Sequence, residues 1–175
     1  HCSKLMLQIT NHKKPIIAKV HGAAFAAGCQ LVASCDLAYS TSSAIFATPG
    51  VNIGLFCSTP MVALSRNVSK KNSMQMLLTG ESINASYARE IGLINNFFLE
   101  RNLENEVMKT AKLIASKSNI VLEFGKNAFY KQLEMPLNKA YNYTNEVMVK
   151  NMMLEDAKEG IRAFIEKRLP IWKNK

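Results

Sequence analysis

Residues 14–40 read KPIIAKVHGAAFAAGCQLVASCDLAYS, and the changes of character inside this stretch set the fold class. Its first seven residues, KPIIAKV, are mostly apolar and partly β-branched, with a proline near the start and Gly22 just past the end. That composition predicts a buried strand closed by a turn. Ala23–Ala33 (AAFAAGCQLVA) is too rich in alanine to favour a strand and predicts a turn running into a helix whose small side chains permit close packing. Asp36–Ser40 and Ala44–Ala47 read as two brief strands around a serine-rich turn. A strand, a helix and two strands in so short a span predict a layered α/β unit rather than a helix bundle.

Beyond Ser58 the apolar residues fall at helical spacing. Helices are expected over 61–66, 69–78, 84–91, 103–116, 120–133, 137–151 and 154–167, with stops at Gly80, Gly92, Pro136 and Pro170. The expected organisation is therefore an α/β core over 1–115 and a helical region over 116–175. No low-complexity segment and no long internal repeat interrupts it. The sequence opens on His1 and passes at once into an amphipathic run (Leu5, Met6, Ile9), which suggests a missing N-terminal piece.

Hydrophobic residues make up 48% and charged residues 20% of the 175-residue chain, a balance that suits a packed globular core in water. Apolar runs are too short for a spanning helix, and the first dozen residues lack signal-peptide or transit character. Twenty-two basic against thirteen acidic residues give a net charge of +9, which suits a polyanionic or phosphorylated ligand. The basic residues are spread along the chain with only short clusters, and no nucleic-acid-binding motif accompanies them. Cys2, Cys29, Cys35 and Cys57 show no C-x-x-C spacing, so neither a metal site with His12 or His21 nor a disulfide framework is expected, and a reducing compartment is the simpler reading.

Several separated strings agree in order. Pro15–Gly22 leads into Ala23–Leu31, then Ser34–Ala38, Phe46–Gly50 and Ile53-Gly54; further on stand Leu78-Thr79-Gly80-Glu81, Ala85, Ala88 and Ile91–Ile94, and finally Glu159-Gly160 and Ala163–Arg168. Together they resemble the enoyl-CoA hydratase/isomerase (crotonase) family over nearly the whole chain. The resemblance implies a spiral of ββα units with its N-terminal part missing here, and a helical C-terminal region used for assembly as a homotrimer or dimer of trimers. It implies an acyl-CoA ligand, no permanently bound cofactor beyond the coenzyme A of the substrate, no membrane partner, and residence in the mitochondrial matrix or a bacterial cytoplasm.

The same resemblance implies an oxyanion hole of two backbone N–H groups. One maps to Ala27, where Gly28 lets a ligand approach the backbone; the other belongs to a motif upstream of His1. The structural alternative is that Ala26-Ala27-Gly28 only packs a helix on a strand. The family's two water-handling glutamates map to Gln30 and Gly50, and the aspartate of its hydrolases and dienoyl isomerases to Ser58. An amide hydrogen-bonds water without taking its proton, and glycine has no side chain, so ordinary hydration is expected to be absent or very slow. Pro49, Asn52 and Cys57 are candidates to line the acyl group, with plain loop structure as the alternative. Phe164 and Lys167 map to coenzyme A contacts, Lys167 otherwise being a solvated helix lysine, and Met148 is expected in the core. The expected function is acyl-CoA thioester binding within fatty-acid or acyl-CoA metabolism, as a lyase or isomerase by resemblance. The alternatives are a non-catalytic binding or assembly protein and a glutamate-independent decarboxylase.

Overall fold

The computed structural model describes residues 2–174 and divides the chain into two compact units. The first holds the chain up to His12 together with Ile16–Ala111. It opens with α1 (Cys2–Thr10), whose Met6 and Ile9 are buried at the i, i+3 spacing of an amphipathic helix. Next come β1 (Ile17–Val20), β2 (Ala23–Phe25), α2 (Ala27–Ser34), β3 (Leu37–Thr41) and β4 (Ile45–Ala47). After a 3-10 turn over Pro49–Ile53 the chain forms α3 (Pro60–Asn67), α4 (Lys70–Thr79), β5 (Ile83–Asn84), α5 (Ala85–Glu90), β6 (Asn96–Phe98) and the start of α6 (Glu100–Ala115).

The first four strands alternate between two small sheets. One has the order β1-β3-β6, all parallel; the other has the order β2-β4-β5, with β4 and β5 antiparallel. One sequence expectation needs correction here: Ala23–Phe25 is a strand, not a turn into the helix. Three alanine-rich residues carry little strand preference of their own, and pairing with Ile45–Ala47 supplies it. The turn shrinks to Ala26 alone. β5 and β6 likewise carry no strand signal in the sequence; with two and three residues they exist through pairing, not composition.

Side chains tie these elements at their ends. Asp36 accepts from the Ile16 N–H (2.6 Å), Asn95 from the Ala38 N–H (2.8 Å), and Asn67 donates to the Ala33 carbonyl at the end of α2 (2.7 Å). Phe46, Leu64 and Cys29 lie in the middle of the core, each almost wholly buried. Gly80 and Gly92 end α4 and α5 with φ of +64° and +82°, as helix-terminating glycines should.

The second unit holds Lys13–Pro15 and the chain from Lys112 onward. Its helices are α7 (Asn119–Leu133), α8 (Leu137–Met153) and α9 (Glu155–Ile165). Ser118 caps α7, accepting from the Val121 N–H (3.4 Å) while donating to the buried Asp156. Asp156 also accepts from the N–H groups of Lys173 (2.7 Å) and Asn174 (3.0 Å), which folds the C-terminal segment back over α9. Trp172 rests against Gly160 and donates its indole N–H to the Ser116 carbonyl (2.8 Å). Met148, expected in the core, is 59% exposed on α8; its helix face has no cover within this unit. No helix among the described residues is long and apolar enough to cross a membrane.

Candidate functional site

Pairing of β2 with β4 sets the site. Phe25 lies opposite Ala47, and the Ala26 N–H donates to the Ala47 carbonyl (2.9 Å). The first turn of α2 therefore starts beside the stretch Thr48-Pro49-Gly50. Ala26 takes φ +48° and ψ −110°, a conformation that an L residue adopts only under strain. That turn swings the chain from strand to helix in one residue.

The helix it starts has no side-chain cap. Its first intrahelical bond runs from the Gln30 N–H to the Ala26 carbonyl (3.0 Å), so the N–H groups of Ala27, Gly28 and Cys29 have no acceptor within the helix. Ala27 is exposed, and the helix dipole adds partial positive charge at this point. The arrangement can hold a carbonyl oxygen or an anion.

Gln30 is 4% exposed, one turn further along α2. Its Oε1 accepts from the Cys2 thiol (3.4 Å), and its amide nitrogen has no partner among the described residues. Thr48 is wholly buried, and its hydroxyl oxygen also lacks a partner among the described residues, a condition that native interiors keep rare. Burial, and then the neighbouring Cys57, pushes the Cys29 thiol up to about 12, so Cys29 is a neutral filler beneath the helix. All four cysteines are free thiols. Among the described residues no group of three or more His, Cys, Asp or Glu could hold a metal ion.

Gly50 carries the sharpest steric fact. A Cβ added there would stand 2.6 Å from the Leu55 carbonyl oxygen and 3.0 Å from the Cys57 sulfur. The Leu55 N–H in turn donates to the Gly50 carbonyl (2.9 Å). The side-chain space at this position is thus filled by the chain's own backbone. Asn52 is exposed and its amide lies against the turn at Gly80, where a Cβ would come within 2.9 Å of it. Ser58 is exposed and donates to the Phe56 carbonyl (3.2 Å). Ala27, Gly28, Gln30, Pro49 and Gly50 thus share one neighbourhood through the β2–β4 pairing, while Asn52 lies beside Gly80 and Ser58 bonds locally. Phe164 and Lys167 belong to the second unit, Phe164 being 84% exposed.

The sequence pattern of the enoyl-CoA hydratase/isomerase family matches residues 1–175. The chain belongs to this family. Among curated relatives, the mouse protein named enoyl-CoA hydratase domain-containing protein 3, mitochondrial, is 54% identical over 171 residues; the match covers 98% of this chain and 57% of the mouse protein. The crystal structure of the human enoyl coenzyme A hydratase domain-containing protein 3 superposes with a TM-score of 0.95 at 53% identity, covering 98% of this chain and 68% of that one. An enoyl-CoA hydratase from Mycobacterium smegmatis superposes with a TM-score of 0.96 at 47% identity, covering 98% and 66%. The chain spans little more than half the length of the curated relatives it matches. The crotonase-like α/β fold expected from the sequence is the fold observed.

The family strings single out Ala27, Gln30 and Gly50 as candidates; the strain at Ala26 and the approach of Leu55 are added by the structure. A small residue between a strand and a helix signals a tight turn, so Ala26 was within reach of the sequence. The Leu55 carbonyl was not, because its approach to Gly50 is a contact through space.

Proposed function

We propose that this enoyl-CoA hydratase/isomerase family member binds acyl-CoA thioesters at the start of α2 and does not use the family's glutamate pair to add water. The strained, uncapped turn at Ala26 carries the reading: Ala27 is exposed and its N–H has no acceptor among the described residues. A thioester carbonyl seated there is polarised, and an enolate formed from it is stabilised, by a backbone dipole fixed before the ligand arrives. Gln30 orients the acyl group or a water through its amide but cannot take a proton at neutral pH. Gly50 supplies no acid, and its side-chain space is closed by the Leu55 carbonyl.

The second reading, loss of a carboxylate from a malonyl-type thioester, is favoured by the same pair of residues. The C–C bond breaks to release CO2, its electron pair remains as the thioester enolate, and a proton from water completes the product, so the step needs enolate stabilisation and no base. Lys167 is the proposed partner of the coenzyme A phosphates held by a neighbouring copy of the chain, with Phe164 an apolar contact beside them; Pro49 and Cys57 are proposed for the acyl side. The helical region from 116 onward is proposed to assemble copies of the chain, and the mitochondrial names of the relatives support residence in that organelle.

The test titrates butyryl-CoA into the chain by calorimetry and follows crotonyl-CoA hydration by loss of enoyl-thioester absorbance. Micromolar binding with no measurable hydration is expected, and Gln30→Glu is expected to retain binding. Hydration at ordinary enzymatic rates by the natural sequence would overturn the account of Gln30 and Gly50.

A further inference from the structure

The end of α9 adopts a shape that normally calls for glycine, and a lysine occupies it. The Glu166 N–H donates to the Arg162 carbonyl (2.9 Å), the Lys167 N–H to the Phe164 carbonyl (3.2 Å) and the Arg168 N–H to the Ala163 carbonyl (3.0 Å). This is the closing pattern in which the residue past the helix turns left-handed, and Lys167 does so with φ +54°. A lysine needs no such geometry to enjoy the helix dipole, which favours a cation anywhere in the last turn. A strained backbone persists only where its surroundings over-determine it.

Arg168 supplies that constraint. Its guanidinium meets the Glu159 carboxylate in a two-pronged contact (2.6 and 3.1 Å), reaches Glu166 with Nε (2.5 Å) and the Leu169 carbonyl with a terminal nitrogen (3.2 Å). Glu159 also accepts from the Ile171 N–H (3.0 Å), pinning the chain on the far side of the turn. Planar guanidinium–carboxylate pairing fixes direction as well as distance. The pairing has a second consequence. Arg168 takes up both Glu159 and Glu166, whereas the exposed Lys167 ammonium has no partner among the described residues. One cation is consumed by the fold, and its neighbour has no counter-charge among the described residues.

We infer that Glu159 and Arg168 are positioning residues for Lys167: their ion pair holds the left-handed turn that presents the Lys167 ammonium to the phosphates of a coenzyme A thioester. The inference rests on the acyl-CoA reading above.

Calorimetric titration with butyryl-CoA and with butyryl-pantetheine, which has the same acyl arm without the nucleotide phosphates, separates the roles. Lys167→Ala and Arg168→Gln should each weaken butyryl-CoA about tenfold, the worth of one charge-assisted contact, and leave butyryl-pantetheine unchanged. The double variant should bind butyryl-CoA no worse than either single one, because Arg168 acts through Lys167. Should Arg168→Gln fold poorly by circular dichroism, Glu159→Gln, which keeps the shape of the side chain, takes its place with the same expectation. Equal loss for both ligands in the Arg168 or Glu159 variant, or losses that multiply in the double variant, would overturn the positioning role. If the natural sequence binds neither ligand, the acyl-CoA reading fails and takes this inference with it.

Discussion

Two residues of the site differ in what their backbones tolerate. Ala26 sits at φ +48° without being glycine, so Ala26→Gly should stabilise the chain by up to about 1 kcal/mol, visible as a higher melting temperature. Gly50 has an ordinary φ but no room: its missing Cβ would meet the Leu55 carbonyl at 2.6 Å. Gly50→Ala should therefore cost about 1–3 kcal/mol, the usual range for overpacking. The same contact says that a glutamate introduced at position 50 must first displace the 50–55 loop. The absence of an acid at position 50 is thus built into the backbone as well as into the side chain.

Among the elements, the C-terminal segment that folds back over α9 hangs on two carboxylates. The Arg168 guanidinium, followed by the Ile171 N–H, holds Glu159 down to about 2. Burial raises Asp156, but the Ser118 hydroxyl and the N–H groups of Lys173 and Asn174 outweigh it and hold that carboxyl below its ordinary value. Both folded values lie below the unfolded ones, so the stabilisation is complete above the unfolded carboxylate range and is lost as pH falls toward the folded values. Trp172 is the chain's one tryptophan. Its emission should shift to the red between about pH 4.5 and pH 2, the interval from an unfolded carboxylate to Glu159. Glu159→Gln should flatten that transition.

The elements also show what a sequence can carry. β1, α2, β3 and β4 were legible from residues 14–47, where a β-branched run, a small-residue run and turn-forming serines follow one another. β2 was not, because AAF becomes a strand only when Ile45–Ala47 arrives beside it. The helices of the second half were legible from period and stop signals, to within a few residues at their ends. In the candidate site, Ala27, Gln30 and Gly50 are proposed from the order of the family's strings along the chain. The closure of Gly50 by Leu55 and the pairing of Arg168 with Glu159 could not be read from it, since both are relations between residues that no local spacing encodes.

For the whole molecule, the first unit is a coil. Ile17 pairs with Leu37 in one sheet and Ala23 with Ile45 in the other, so each turn advances by about 20 residues, near the lower end of repeat lengths in solenoid proteins. Contacts in such a coil run chiefly between adjacent turns. β3 has a partner on both sides and so has β4, whereas β1 and β2 each have one partner among the described residues. Strands with one partner have one row of backbone groups to open and strands with two have two. Amide hydrogen exchange should accordingly rank the strands: Leu37–Thr41 and Ile45–Ala47 slowest, Ile17–Val20 and Ala23–Phe25 faster. A uniform exchange rate across all four would mean that the coil opens only as one block. A graded profile would mean that it unwinds from its rim, one turn at a time, with the strained entry to α2 lying on the turn that loosens first.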